Sequence, residues 1–300
     1  MSDQVTISIL LATRGRTESL DRSIHTLMNQ AEHPESVQLL FAFDNDDTVG
    51  LNHWAQVLKP WLDARNFNYK MLKFPRMGYI NLHHYNNKMA KHALGRWFMI
   101  WNDDAVMETQ NWDTEILRYD NQFKLLAVRT HRDHPYSIFP IVPRKWYDIL
   151  GYISPHPTQD GWVSQQAYML DILERIPVHV KHDRFDLTGN NQDATFKERS
   201  MAEGNPNNPS DFHHISQQTI RTQDCAKLAQ YMRDELGLDI SFFENIFKGT
   251  QDPWEKLKLN DTNGQMVQFK NPHAHFARTK QQIADELTNK SVQSSAVNRA

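Results

Sequence analysis

A chain of 300 residues, 39% hydrophobic and 23% charged, can bury a full core and make one large domain or one and a half. Its formal net charge of −3, with no long run of like charges, gives no whole-protein attraction to nucleic acid or anionic membrane. Cys225 is the single cysteine, which excludes an intrachain disulfide and a thiolate metal cluster. No signal-peptide pattern follows Met1 and no apolar span reaches roughly 18 residues, so an intracellular, reducing setting is expected.

In chain order, the first third alternates strand and helix signals. Residues 5–12 (VTISILLA) read as a strand that ends in Thr13-Arg14-Gly15-Arg16. Leu20, Ile24, Leu27 and Met28 then recur at helical spacing, with Thr17 or Ser19 as the expected cap. A second strand over 38–43 ends in Asp44-Asn45-Asp46-Asp47, and a helix follows with Leu51, Trp54, Leu58, Trp61 and Leu62 on one face. Residues 69–74 give a third strand. Gly78 introduces a helix over about 80–93, which Gly95 is expected to stop. Trp97-Phe98-Met99-Ile100-Trp101 is an apolar run suited to an inner parallel strand, and it delivers Asn102-Asp103-Asp104. This order implies a parallel sheet with right-handed crossovers.

Beyond Val106 the pattern changes. A short helix is expected around Trp112, Ile116 and Leu117, a strand over 124–130, and another over 137–142 in which Pro140 argues for an edge or a bend. Helices over about 145–150 and 161–173 precede a strand over 176–181 that delivers His182-Asp183. The stretch 204–210 (GNPNNPS) is a turn-rich break, which sets domains of 1–204 and 205–300. The second contains a helix near 215–236, the aromatic segment Phe242-Phe243 to Phe247, and a polar tail expected to fray after Leu287.

Three strand ends carry charged clusters, and parallel strands would put all three on one edge of the sheet, where ligands of open α/β sheets collect. Adjacent acids such as Asp103 and Asp104 repel one another, and a divalent cation bridging to a phosphate is the usual remedy. Arg14 and Arg16 suit phosphate forks, and Asp44 suits a base or a ribose hydroxyl. Each cluster also has a plain reading: Gly15 making a turn between surface arginines, or acids capping the next helix.

In this arrangement the chain resembles the GT-A nucleotide-sugar glycosyltransferases, in particular the family-2-like group of bacteria and phages, over about residues 5–195. The resemblance rests on Ala12-Thr13-Arg14-Gly15-Arg16, Phe43-Asp44-Asn45-Asp46-Asp47, Gly78, Asn87, Gly95 and Asn102-Asp103-Asp104 at the DxD position. It implies a Rossmann-like GT-A fold, with a mostly parallel central sheet flanked by helices and a mainly helical C-terminal lobe. It further implies a UDP-sugar donor, with Thr13, Arg14, Arg16, Asp44, Gly78, Asn87, Asn102 and Asp103 around the nucleotide-sugar. Asp104 would bind Mn2+ or Mg2+. One departure is Asn102, an amide where the motif begins with an aspartate, so metal binding is expected to lean on Asp103, Asp104 and a later ligand. His182, at a strand end before a polar loop, is the expected second ligand, ahead of His179, His213 and His214.

Asp160, near the start of a helix, matches the family's acidic position by the acceptor and is the expected general base of an inverting transfer; its other reading is a helix cap. Asp193 supports the site or caps a helix. Trp146 and Trp162 either stack on a sugar or base or belong to the core. The expected acceptor is a surface glycan or a hydroxymethylated base of phage DNA, the latter needing a basic track for which Arg129-Thr130-His131-Arg132 and Arg144-Lys145 are pieces. The setting would then be the cytoplasm of a bacterium or an infected host. Two other classes remain: a sugar-phosphate nucleotidyltransferase, whose glycine-rich loop after strand one is lacking at 12–16, and a non-catalytic sugar- or DNA-binding module.

Overall fold

The computed structural model describes residues 5–130, 136–183, 198 and 208–250. Contacts divide the chain into two compact units, Met1–Tyr168 with Ile172–Ala202, and Met169–Asp171 with Glu203–Ala300. Asp193, His131, Arg132, residues 204–207 of the turn-rich break and the tail after Leu287 lie outside the described residues.

The first unit is built on one eight-stranded sheet. Its strands are β1 (Ile7–Thr13), β2 (Val37–Asp44), β3 (Asn68–Phe74), β4 (Trp97–Trp101), β5 (Ala105–Met107), β6 (Leu125–Thr130), β7 (Pro140–Pro143) and β8 (Leu173–His182), in the order β3-β2-β1-β4-β7-β6-β8-β5. β1 to β4 are parallel, and every residue of β2 and β4 is buried, as their unbroken apolar runs demand. Thr13 stands opposite Phe43, and Leu11 opposite Trp101. The ends of β1, β2 and β4 therefore share one edge, as their sequence implied.

The other half of the sheet is mixed, because β7 enters antiparallel between β4 and β6. Pro140 thus lies in an interior strand and not at an edge. It is tolerated as the first residue of β7, where a missing N–H costs least. The short β5 had no sequence signal. It pairs antiparallel with β8, placing Ala105 opposite His182.

The helices α1 (Thr17–Asn29), α2 (Thr48–His53), α3 (Lys59–Asp63), α4 (Leu82–Ala90), α5 (Trp112–Leu117), α6 (Arg144–Leu150) and α7 (Gln159–Leu170) belong to the described part of this unit. A π-helical turn, Trp54–Leu58, joins α2 to α3. α1 buries Leu20, Ile24, Leu27 and Met28 as its spacing requires. Its cap differs from expectation: Arg16 occupies the N-cap position with no side-chain cap, and Thr17 is already helical. The Arg16 side chain reaches an acid on another strand instead. Trp146 and Trp162 are fully buried, which settles them as core. In the second unit the described helices are α8 (Ile215–Asp234) and α9 (Ser241–Lys248), with Cys225, Leu228, Met232, Phe243 and Ile246 buried. Among the described residues no helix is long and apolar enough to cross a membrane.

Gly95 does not stop α4, which ends at Ala90 after a 3-10 turn over Tyr79–Asn81. Its role is close approach: a Cβ there would lie 2.6 Å from Ser8 N and 2.8 Å from Ile7 C, both backbone atoms of the β1 region. Gly95→Ala should therefore destabilise the fold by about 2 kcal/mol or more, measured by urea unfolding.

Candidate functional site

The turn after β1 sends its two arginines in different directions. Gly15 takes φ +68°, and its N–H donates to Asp47 Oδ2 at 2.9 Å, while Asp47 Oδ1 caps α2 through Gly50 N at 3.0 Å. Arg14 reaches across to the end of β2, 2.9 Å from Asp44 and 2.6 Å from Asp46. Arg16 reaches the end of β4, 2.9 Å from Asp103 and 3.5 Å from Asp104. Thr13 Oγ1 donates to Asp103 Oδ2 at 2.7 Å. The second oxygen of buried Asp44 accepts from Tyr85 of α4, whose hydroxyl in turn accepts from Met77 N at 2.8 Å. Burial and then the Asp44 charge push the Tyr85 phenol up to about 12, so it remains a donor.

Asp103 and Asp104 form the turn between β4 and β5. Ser23 of α1 steadies that turn: its hydroxyl donates to Asn102 O at 3.0 Å and accepts from Trp101 Nε1 at 2.8 Å. The Asn102 side chain is half-buried beside it. Burial, with the neighbouring Asp104, pushes the Asp103 carboxyl up to about 6 against the pull of Arg16 and Thr13. Burial also works against the Asp104 charge, but His182 and Arg16 outweigh it and hold that carboxyl below the usual range. Adjacent acids need positive charge beside them, and Arg16 supplies it.

His182 is brought in by strand register. With Ala105 opposite His182 and Asp183 N donating to Asp104 O at 2.9 Å, His182 Nε2 comes to 3.1 Å from Asp104 Oδ1. That oxygen is buried, without an aligned hydrogen-bond donor among the described residues. Among them, no cluster of three or more His, Cys, Asp or Glu side chains forms a metal cage. An imidazole nitrogen and a carboxylate oxygen 3.1 Å apart are nevertheless a mixed donor pair of the kind Mn2+ accepts. His179 is exposed on β8, and His213 and His214 belong to the second unit.

Asn87 and Gly78 act on shape. Asn87 Nδ2 donates to Ser154 O at 2.7 Å and its Oδ1 accepts from Ile153 N at 2.9 Å, so its amide ties α4 to the segment before α7. Asn86 Nδ2 donates to Gln159 Oε1 at 3.1 Å, adding a second tie. These contacts set the start of α7 beside α4, and with it half-buried Asp160, the second residue of the helix and not its cap. Gly78 takes φ +72° in the loop before α4. Glu198 closes that loop by accepting from Tyr79 N at 2.8 Å and from Arg76. Tyr85, Asn86 and Glu198 had no sequence signal, because each acts on a partner far away in the chain.

A sheet whose first half is parallel and whose second half is mixed, with helices packed around it, is the GT-A fold. Among solved structures the chain is similar to PcManGT, a mannosyltransferase from Pyrobaculum calidifontis determined in complex with GDP-Man and Mn2+. The TM-score is 0.50 at 10% identity, over 81% of this chain and 79% of that one. It is similar also to S. aureus TarS, with a TM-score of 0.51 at 11% identity over 84% of this chain; it spans only 44% of TarS. No protein-family model matches the sequence, and no curated protein does.

A carboxyl raised by folding holds its proton more tightly in the native chain than in the unfolded one. The stability it contributes is full below its ordinary value of 3.8 and is lost as pH rises through about 6. Asp103→Asn should therefore raise the Tm of the metal-free protein at about pH 7.5, by the equivalent of about 2 kcal/mol more than at about pH 4.5. Calorimetric scans at both pH values check this, and an equal effect at both would contradict it.

Proposed function

We propose that the chain is a metal-dependent glycosyltransferase that moves a sugar from a nucleoside-diphosphate sugar, uridine being the expected nucleoside, to an acceptor hydroxyl. The observation that carries this reading is the convergence on one sheet edge of Asp44 with Arg14 and Tyr85, of Asp103 and Asp104 with Arg16, and of His182. In this reading Asp44 and Arg14 face the nucleoside, and Thr13, Asn102 and Asp103 face the ribose and diphosphate. Asp104 and His182 hold Mn2+ or Mg2+; the PcManGT complex contains Mn2+. The bound ion supplies Lewis-acid neutralisation of the departing diphosphate.

Arg16 offsets the same developing charge from the other side, a task for a fixed guanidinium in a partly buried site. Asp160 takes the proton of the acceptor hydroxyl as its oxygen bonds to the anomeric carbon. The bond from that carbon to the phosphate oxygen breaks, and the diphosphate leaves with the electron pair. One base and one displacement make the transfer inverting. A glycan is the better acceptor of the two expected. Arg144, part of the basic track a DNA acceptor would need, is engaged with Ala93 O at 2.7 Å and with Asp148 at 3.8 Å.

Thermal shift with UDP-sugars and Mn2+ tests the donor site. A donor at 100 times its Kd should add about 2.7 kcal/mol, and Asp104→Ala should remove the Mn2+-dependent part of that gain. Asp160→Asn should keep the shift and lower turnover by about 100-fold or more in a donor-consumption assay. Full turnover in this variant would exclude Asp160 as the base.

A further inference from the structure

His182 reaches the strand-end acids through its backbone: it stands opposite Ala105 across the β5–β8 pair, and Asp183 N donates to Asp104 O at 2.9 Å. Register fixes where the Cα of His182 sits and leaves its side-chain torsions open. A histidine that binds metal ordinarily has its ring fixed by a hydrogen bond from the other ring nitrogen. Among the described residues His182 has no such bond. Its Nδ1 is buried without a hydrogen-bond partner there, and Nε2, 3.1 Å from Asp104 Oδ1, makes no aligned hydrogen bond to it.

What the ring meets instead is an aromatic side chain. Phe139, fully buried just before β7, stands against His182 at a centroid distance of 5.0 Å with the planes 70° apart, an edge-to-face contact. Phe139 also packs on Trp101, again at 5.0 Å. The Trp101 indole N–H donates to Ser23 Oγ, and that hydroxyl donates to the carbonyl of Asn102, on the turn that carries Asp104. The row Trp101–Phe139–His182 therefore runs from the strand that delivers the acid to the strand that delivers the imidazole. All three side chains are buried, and a close-packed interior holds such rings in place.

We propose that Phe139 is a positioning residue: it sets the His182 ring relative to Asp104 and thereby gives the site a preference for Mn2+ over Mg2+. This role rests on the reading of Asp104 and His182 as ligands of that ion. Mg2+ favours oxygen ligands, whereas Mn2+ also accepts an imidazole nitrogen, so the contribution of a well-placed His182 falls on Mn2+.

The experiment is titration calorimetry of UDP with Mn2+, with Mg2+ and with EDTA, on wild type, Phe139→Leu, His182→Ala and the double variant. Wild type should bind UDP more tightly with Mn2+ than with Mg2+. Phe139→Leu should cut the gain from Mn2+ about tenfold, and leave UDP affinity with Mg2+ or EDTA within about twofold. In the His182→Ala background, Phe139→Leu should change nothing further, because a residue that works through another is silent once that other is gone. Phe139→Met, which roughly conserves volume without a ring, replaces Phe139→Leu where the latter does not fold and carries the same expectation. A Mn2+ gain unchanged in the Phe139 variant, or losses that add in the double variant, would overturn the role of Phe139 and leave the ligand reading standing. A His182→Ala protein that keeps the full gain, or a wild type that gains nothing from Mn2+, would remove both.

Discussion

Two carboxylates at the end of a buried strand can stay together only if positive charge is delivered to them, and Arg16 delivers it from the turn after β1. Much of the local architecture follows from that reach. α1 goes without a side-chain cap because Arg16, at its N-cap, has only donors, while Thr13 supplies a hydrogen bond to the more buried acid and Ser23 pins the turn on which both acids sit. The parallel register of β1 with β4 brings the arginine and the acids within range. In the proposed reaction the same guanidinium also faces the leaving diphosphate. Neutralising the resting acids and stabilising the departing group are then tasks of one side chain.

The two halves of the sheet divide the remaining work. The parallel half sets Asp44 two strands away from the acids, with Arg14 on the strand between them, a spacing suited to a nucleoside joined to a diphosphate. The mixed half returns β8 beside β5, so His182 arrives from a strand almost eighty positions later in the chain. α4 links the sides: Tyr85 fixes Asp44, while Asn86 and Asn87 tie the entry of α7, and hence Asp160, to the same helix.

The parallel half was legible in the sequence because its strands are unbroken apolar runs, each ending in a polar cluster. Thr13, Asp44 and Asp103 could be assigned to one edge from that alone. The mixed half was harder. Pro140 argued for an edge or a bend, since sequence pattern carries no information about which strands β7 slips between, and three-residue β5 is too short to show a period. The partners of Arg14 and Arg16 were also hidden: a guanidinium reads equally as a phosphate fork or as the counter-ion of a nearby acid, and only the fold decides. Phe139 reads as one more apolar residue of the run over 137–142 until the fold sets its ring against Trp101 and His182.

Glu198 has a consequence for how little of the chain could be dispensed with. It follows β8, yet its carboxylate orders Arg76 and the Tyr79 amide far upstream. A truncated polypeptide ending at β8 would retain β1 to β8 with Asp44, Asp103 and Asp104 while losing the group that shapes the loop ahead of α4. During synthesis, likewise, that loop can reach its final form only after Glu198 has left the ribosome.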